Sequence, residues 1–217
     1  MSLLPKHFVR PVIHGRALKR LWGRRYLSVT LRPYQNECIQ ECLTNLSQGR
    51  KRLGVSLATG SGKTVIFTHL LSQVPPLANG ADQTLILVHR RELVDQAAAQ
   101  CRSTHPGKTT EVEMAESRAS GCADITVASI QSLISGDRIE KFDASRFKLI
   151  LIDEAHHAAS PSYLRVLHHF GASTSETNVN VVGVSATLSR FDGLRLGTAL
   201  DYICFHRDYI DMVGEKW

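Results

Sequence analysis

The sequence predicts an α/β fold in which a parallel sheet carries helices on both faces. Three observations predict it. Short apolar runs that suit buried strands recur at Leu53–Leu57, Thr84–Val88, Phe147–Ile152 and Val179–Val184. Polar or small residues follow each run, and the stretches after the first two have helical character. A Gly-rich turn, Ala58-Thr59-Gly60-Ser61-Gly62-Lys63-Thr64, joins the first run to Val65–Leu71, which suits a helix. No run approaches the ~18 consecutive apolar residues of a membrane span. No membrane partner is therefore expected.

A chain of 217 residues suits one α/β domain plus a tail, and 43% hydrophobic residues are enough for a core. Five cysteines (Cys38, Cys42, Cys101, Cys122, Cys204) make an odd count without a C-x-x-C pair. They are expected to be reduced thiols rather than a disulfide framework or a zinc site. Cys38 and Cys42 share a helical face by spacing, which packing explains. The net charge of +6 comes from one place. Residues 1–30 hold seven basic residues and no acid; without them, nineteen basic residues face twenty acidic ones, a net of −1. Bulk charge thus does not make the body of the chain a nucleic-acid binder, and any such contact has to be local.

The elements follow in order. Residues 1–30 are Arg-rich, acid-free and interspersed with apolar residues. That pattern predicts a removable mitochondrial transit peptide and places the protein in the matrix. Arg24-Arg25-Tyr26 followed by Leu27-Ser28 resembles a matrix-peptidase site. The alternative is a disordered basic arm. The folded body is expected over 31–217. Leu31-Arg32-Pro33-Tyr34-Gln35 opens it, with Pro33 in the first turn of a helix and Ile39, Leu43 and Leu46 at helical spacing. The amide of Gln35 both donates and accepts, which suits an adenine edge.

The Gly-rich turn reads as a phosphate-binding loop. Gly60 and Gly62 let the backbone turn tightly, so that several N–H groups face one anion. The following helix adds unpaired donors and the positive end of its dipole. Lys63 would reach the β- and γ-phosphates, and the Thr64 hydroxyl would hold Mg²⁺. The generic pattern has a glycine six residues before the lysine; Leu57 stands there.

His89-Arg90-Arg91 stands at the carboxyl end of the second run and leads into a helix. Ligands of open α/β sheets collect at such ends, and basic groups there can hold a phosphodiester backbone. Thr110–Met114 is expected as a short strand and Asp124–Ala128 as a longer one. Ser129 would cap the next helix, which begins Ile130-Gln131. Phe147–Ile152 is the clearest strand and delivers Asp153-Glu154-Ala155-His156 to its end. Adjacent carboxylates after a buried strand are costly unless something uses them. Beside a phosphate loop, Asp153 would hold Mg²⁺, Glu154 would activate the attacking water, and His156 could sense the γ-phosphate. Ser185-Ala186-Thr187 ends the run from Val179, and such hydroxyls can relay a hydrogen-bond change. The tail through Tyr202, Phe205, Tyr209 and Trp217 reads only as amphipathic.

Together these motifs resemble a superfamily 2 DEAH-box helicase of the group related to restriction-enzyme ATPase subunits, in a mitochondrial type. Arg32, Tyr34 and Gln35 fall in the stretch similar to that group's adenine-reading motif. Thr59, Gly60, Ser61, Gly62, Lys63 and Thr64 match motif I, and His89–Gln96 match motif Ia. Ser129 and Gln131 lie in motif Ib, Asp153–His156 match motif II, and Ser185 and Thr187 match motif III, followed by Arg190-Phe191-Asp192-Gly193 as in that group. The resemblance implies a RecA-like P-loop NTPase domain that uses ATP and Mg²⁺. It further implies movement on DNA or RNA, gripped through His89, Arg90, Arg91, Ser129 and Gln131, with Ser185 and Thr187 coupling the two sites. Members of the group carry a second RecA-like domain with arginine fingers, which are worth about 10³–10⁵ in rate. The sequence ends 30 residues past Thr187. The expectation is a chain that binds Mg-ATP, hydrolyses it weakly and needs that second domain, from the full-length protein or another subunit, to unwind. The alternative is a non-catalytic nucleic-acid or partner-binding module derived from a helicase.

Overall fold

The structure, a computed structural model, describes residues 31–188, 197–208 and 210–211. The N-terminal basic segment, Arg190–Gly193, Tyr209 and Trp217 lie outside them.

Seven strands form one sheet: β1 (Arg52–Leu57), β2 (Gln83–Val88), β3 (Thr110–Glu113), β4 (Ile125–Ser129), β5 (Phe147–Asp153), β6 (Asn180–Ser185) and β7 (Tyr202–Arg207). Their spatial order is β3-β4-β2-β5-β6-β1-β7. Every pairing is parallel. The helices are α1 (Pro33–Ser47), α2 (Lys63–Gln73), α3 (Arg91–Thr104), α4 (Ile130–Leu133) and α5 (Pro161–His169).

Alternation along the strands feeds two cores. Leu53, Val55 and Leu57 of β1 and Leu149 and Leu151 of β5 pack with Tyr34, Ile39, Phe67, Leu70 and Val94 of α1, α2 and α3. Ile150 and Ile152 of β5 face the other side, with Tyr163, Val166 and Leu167 of α5 and Phe142, Phe147 and Phe170. A strand buried on both faces favours apolar residues on both, which is why β1, β2 and β5 read as largely apolar runs, with their buried charges, Arg52 and Lys148, near the amino ends. This is the expected parallel sheet with helices on both faces.

Three elements differ from the sequence reading. Helix α4 is a single turn. The amphipathic tail contains β7, which pairs with β1 at the sheet edge. It went unread because Phe205 is its one fully buried residue. Helix α5 was also unread, although Tyr163, Val166 and Leu167 stand at helical spacing behind Pro161 at its first position.

Strand order places the site. Register pairs Ser56 of β1 with Ser185 of β6, and Asp153 of β5 with Val184. The carboxyl ends of β1, β6 and β5 therefore lie side by side, with β2 next to β5 and β4 next to β2. Segments far apart in sequence meet along one rim.

Candidate functional site

The loop between β1 and α2 has left-handed backbone at Gly60 (φ 80°) and Gly62 (φ 76°). Only glycine takes that conformation without strain. Space adds to the requirement at Gly62, where a Cβ would sit 2.6 Å from Gln35 Nε2. Two bonds from α1 brace the loop, and a third, at the start of the helix, holds Gln35 in place. Tyr34 Oη and Gln35 Nε2 donate to the Ser61 carbonyl at 2.7 and 2.9 Å, and Arg32 N donates to Gln35 Oε1 at 3.0 Å. Gln35 is thus placed against the phosphate loop with both ends of its amide engaged.

Lys63 and Thr64 open α2 and line a cavity of about 230 Å³ together with Gly60, Gly62, Asp153 and Glu154. Lys63 Nζ lies 3.3 Å from Glu154 Oε1. Burial raises the pKa of Asp153 above the ordinary carboxylate range; Lys63 acts against that rise and Glu154 adds to it. A carboxylate held this way gains from a nearby cation. Ser61 Oγ is buried and has no hydrogen-bond partner in the structure. These residues fit Mg-ATP: a left-handed cradle with open space above Gly60, an unused hydroxyl, a lysine, and a carboxylate and a threonine lining one cavity.

Glu154 adopts φ 53°, rare for a residue with a side chain. The kink sends the chain from β5 into a 3₁₀ turn at Ala155–His157. Gly183 of β6 lets that turn come close, since a Cβ there would lie 2.7 Å from the Ala155 Cβ. His156 Nδ1 is 2.8 Å from Ser185 Oγ, which reaches Glu154 Oε2 at 3.5 Å and Thr187 Oγ1 at 3.4 Å. The carboxylates of the phosphate site and the hydroxyls of Ser185 and Thr187 therefore form one polar cluster.

The basic candidates lie along the same rim. Arg90 and Arg91 are exposed and make no ion pair among the described residues. His89 is half-buried beside them. Gln131 Nε2 reaches the His89 carbonyl at 3.4 Å. Ser129 differs from its expected use as a backbone contact. It is fully buried, its hydroxyl accepts from Ser132 N to cap α4 and donates to Gln131 Oε1 at 3.2 Å. The surface donor of this pair is Gln131.

Sequence reasoning missed His157. Its ring stacks on His89 with centroids 4.2 Å apart and packs against His156 at 4.0 Å. The only signal was a second histidine beside His156; its partner comes from another strand.

Left-handed phosphate cradle, acidic pair and parallel strand order define a helicase-type ATP-binding domain of RecA-like fold. The chain matches the family described as "Type III restriction enzyme, res subunit" over residues 28–190, and it belongs to that family. It is 48% identical over 205 residues to the Schizosaccharomyces pombe protein named "Putative mitochondrial ATP-dependent helicase irc3", which covers 92% of this chain and 34% of that protein. It is 43% identical over 202 residues to the Saccharomyces cerevisiae protein named "Putative ATP-dependent helicase IRC3", covering 89% of this chain and 29% of that one. The chain thus spans about a third of the length of these relatives. The Sulfolobus solfataricus SWI2/SNF2 ATPase core in complex with dsDNA superposes with a TM-score of 0.60 at 18% identity, over 79% of this chain and 36% of its own, and shares the fold.

Proposed function

We propose that residues 31–217 are the ATP-binding domain of a nucleic-acid-dependent ATPase that works as a helicase on DNA or RNA in the mitochondrial matrix. Residues 1–30 would be its transit peptide. The observation that carries the reading is the meeting of Lys63, Thr64, Asp153 and Glu154 around one cavity, in hydrogen-bond continuity with Ser185. The irc3 names, one of them mitochondrial, support helicase work and the compartment.

Each residue's task follows from its place. The backbone at Thr59–Gly62 would cradle the phosphates, and Lys63 would turn from Glu154 to the β/γ pair. Arg32, Tyr34 and Gln35 would tie the adenine side to the loop, so that base and phosphate contacts would be felt together. Thr64 and Asp153 would hold Mg²⁺, which supplies charge neutralisation at the transferred phosphoryl group. Glu154, freed from Lys63, would accept a proton from the attacking water, and His156 would hold Glu154 and Ser185 in register. Arg90, Arg91 and Gln131 would grip the sugar–phosphate backbone, which DNA and RNA share. Fast turnover and unwinding would draw on a second RecA-like domain, from the full-length protein or another subunit.

The test is ATP turnover by residues 27–217, with and without DNA or RNA, beside Glu154→Gln and Lys63→Ala. The expected result is Mg-ATP binding that Lys63→Ala abolishes. Nucleic-acid-dependent turnover, weak in this domain alone, should fall about 10²–10⁴-fold in Glu154→Gln. Binding without any turnover, even when a second RecA-like domain is supplied, would favour a non-catalytic module. Absence of nucleotide binding would overturn the reading. Sequencing the mature N-terminus from isolated mitochondria tests the compartment; an intact Met1 there sinks the transit peptide.

A further inference from the structure

We propose that His157 is a positioning residue through which nucleotide occupancy changes the grip on nucleic acid. The inference rests on the functional reading above and names a part for which no motif accounts. Between the phosphate loop and the exposed arginines runs an unbroken line of contacts. Lys63 meets Glu154, Glu154 meets Ser185, and Ser185 meets His156. His156 packs on His157, and His157 stacks on His89. His89 is the residue before Arg90 and Arg91, and its carbonyl accepts from Gln131. His157 is thus the bridge between the β5 turn and the β2 end.

Two further observations give the bridge its physical content. Nδ1 of His89 is buried without a hydrogen-bond partner in the structure, so no bond on that nitrogen fixes the ring and the stack does. Burial lowers the pKa of His157, and His156 and His89 lower it further, which favours the uncharged ring in the stack. The switching element is the left-handed kink at Glu154, the most strained described point next to the stack. When Lys63 turns to a phosphate, Glu154 loses its cation. The hydrogen bonds of His156 and Ser185 then readjust, and His157 carries that movement to His89.

The experiment measures the dissociation constant of a fluorescent single-stranded oligonucleotide for this chain, with and without Mg-ADP·BeF₃. Coupling free energies of this kind correspond to affinity ratios of about 5–150-fold. Wild type should show such a ratio. His157→Ala should bring it to within about twofold of one, with nucleotide-free affinity and nucleotide affinity both retained. His157→Phe, which keeps a flat ring in the stack, should restore most of the ratio. A wild-type ratio kept in His157→Ala overturns the proposal. So does a parallel loss of both affinities and of thermal stability in Ala and Phe alike, which would mark a purely structural role. A wild-type ratio of one with both ligands bound overturns the coupling and leaves the functional reading standing. Failure of wild type to bind either ligand overturns both.

Discussion

The two ends of the same sheet are built on opposite principles. At the amino end, buried charge is fully answered. Arg52, 5% exposed, pairs with Asp201 and donates to the carbonyls of Ser173 and Thr198 at 2.9 and 3.0 Å. Lys148, 3% exposed, pairs with Asp82 at 2.7 Å and donates to the Val74 carbonyl. Asn180 ties Lys51 to the Lys148 carbonyl. At the carboxyl end the accounts stay open: Ser61 Oγ lacks a partner among the described residues, Asp153 is held against its ordinary ionisation, Glu154 sits at φ 53°, and two arginines face solvent. Strands, core and helices are common to both ends. Gln83 Oε1 and Thr110 Oγ1 are unpaired at the amino end too, so the contrast is one of charge: buried cations are answered where no ligand is expected, and the acidic pair and exposed arginines stand where one is.

The sharpest way to break the comparison is at Arg52. Removing one partner of a buried pair leaves the other charge and several carbonyls unanswered. Asp201 remains about a third exposed, so water recovers part of the loss. Arg52→Ala should lower unfolding free energy in urea by about 3 kcal/mol. In the fraction that stays folded, affinity for Mg-ATP should be unchanged. A drop in affinity without unfolding would mean that the ends are not independent.

A smaller effect, of mixed kind, is expected at Gly62. Left-handed backbone costs a side-chain-bearing residue about 1–2 kcal/mol, and the new Cβ would push on Gln35. Gly62→Ala should cost about 2 kcal/mol of stability and weaken nucleotide binding by tenfold or more, because strain and cradle share one residue. Calorimetry of unfolding beside nucleotide titration checks it. Loss of stability with full affinity would sink the assignment of this loop to phosphate.

What was legible in the sequence follows the same division. β1, β2 and β5 announced themselves because strands buried on both faces are largely apolar, their charges confined to the amino ends and to Asp153 at the carboxyl end of β5. The phosphate loop and Asp153–Glu154 were legible because glycines and paired acids at strand ends have few structural uses. β7 was hidden: an edge strand with one fully buried residue needs no pattern. Ser129 was visible as a cap, but its complete burial depends on packing that no local spacing encodes. The stack of His89 on His157 was beyond reach, because only the adjacency of β2 and β5 brings those rings together. Local chemistry is written locally, and contacts between motifs are written in strand order.

The smallest effect probes the open end directly and has the opposite sign from the others. Burial raises the pKa of Asp153 in the folded chain, more than Lys63 lowers it. The folded state therefore binds this proton more tightly than the unfolded state does. Its favourable share is complete below the unfolded value of about 4 and is lost as pH rises through the folded value. At neutral pH the ionised carboxylate is thus a burden on the metal-free domain. Asp153→Asn should raise stability at pH 7 by about 1 kcal/mol, while nucleotide binding becomes less dependent on Mg²⁺, which Thr64 would still contact. The gain should shrink as pH falls towards 4, because the wild-type carboxyl then takes up its own proton. Thermal unfolding of both proteins across that range, without metal, provides the measurement. A destabilised Asn variant at pH 7 would mean that Asp153 is held by favourable contacts, and that the carboxyl end is answered after all.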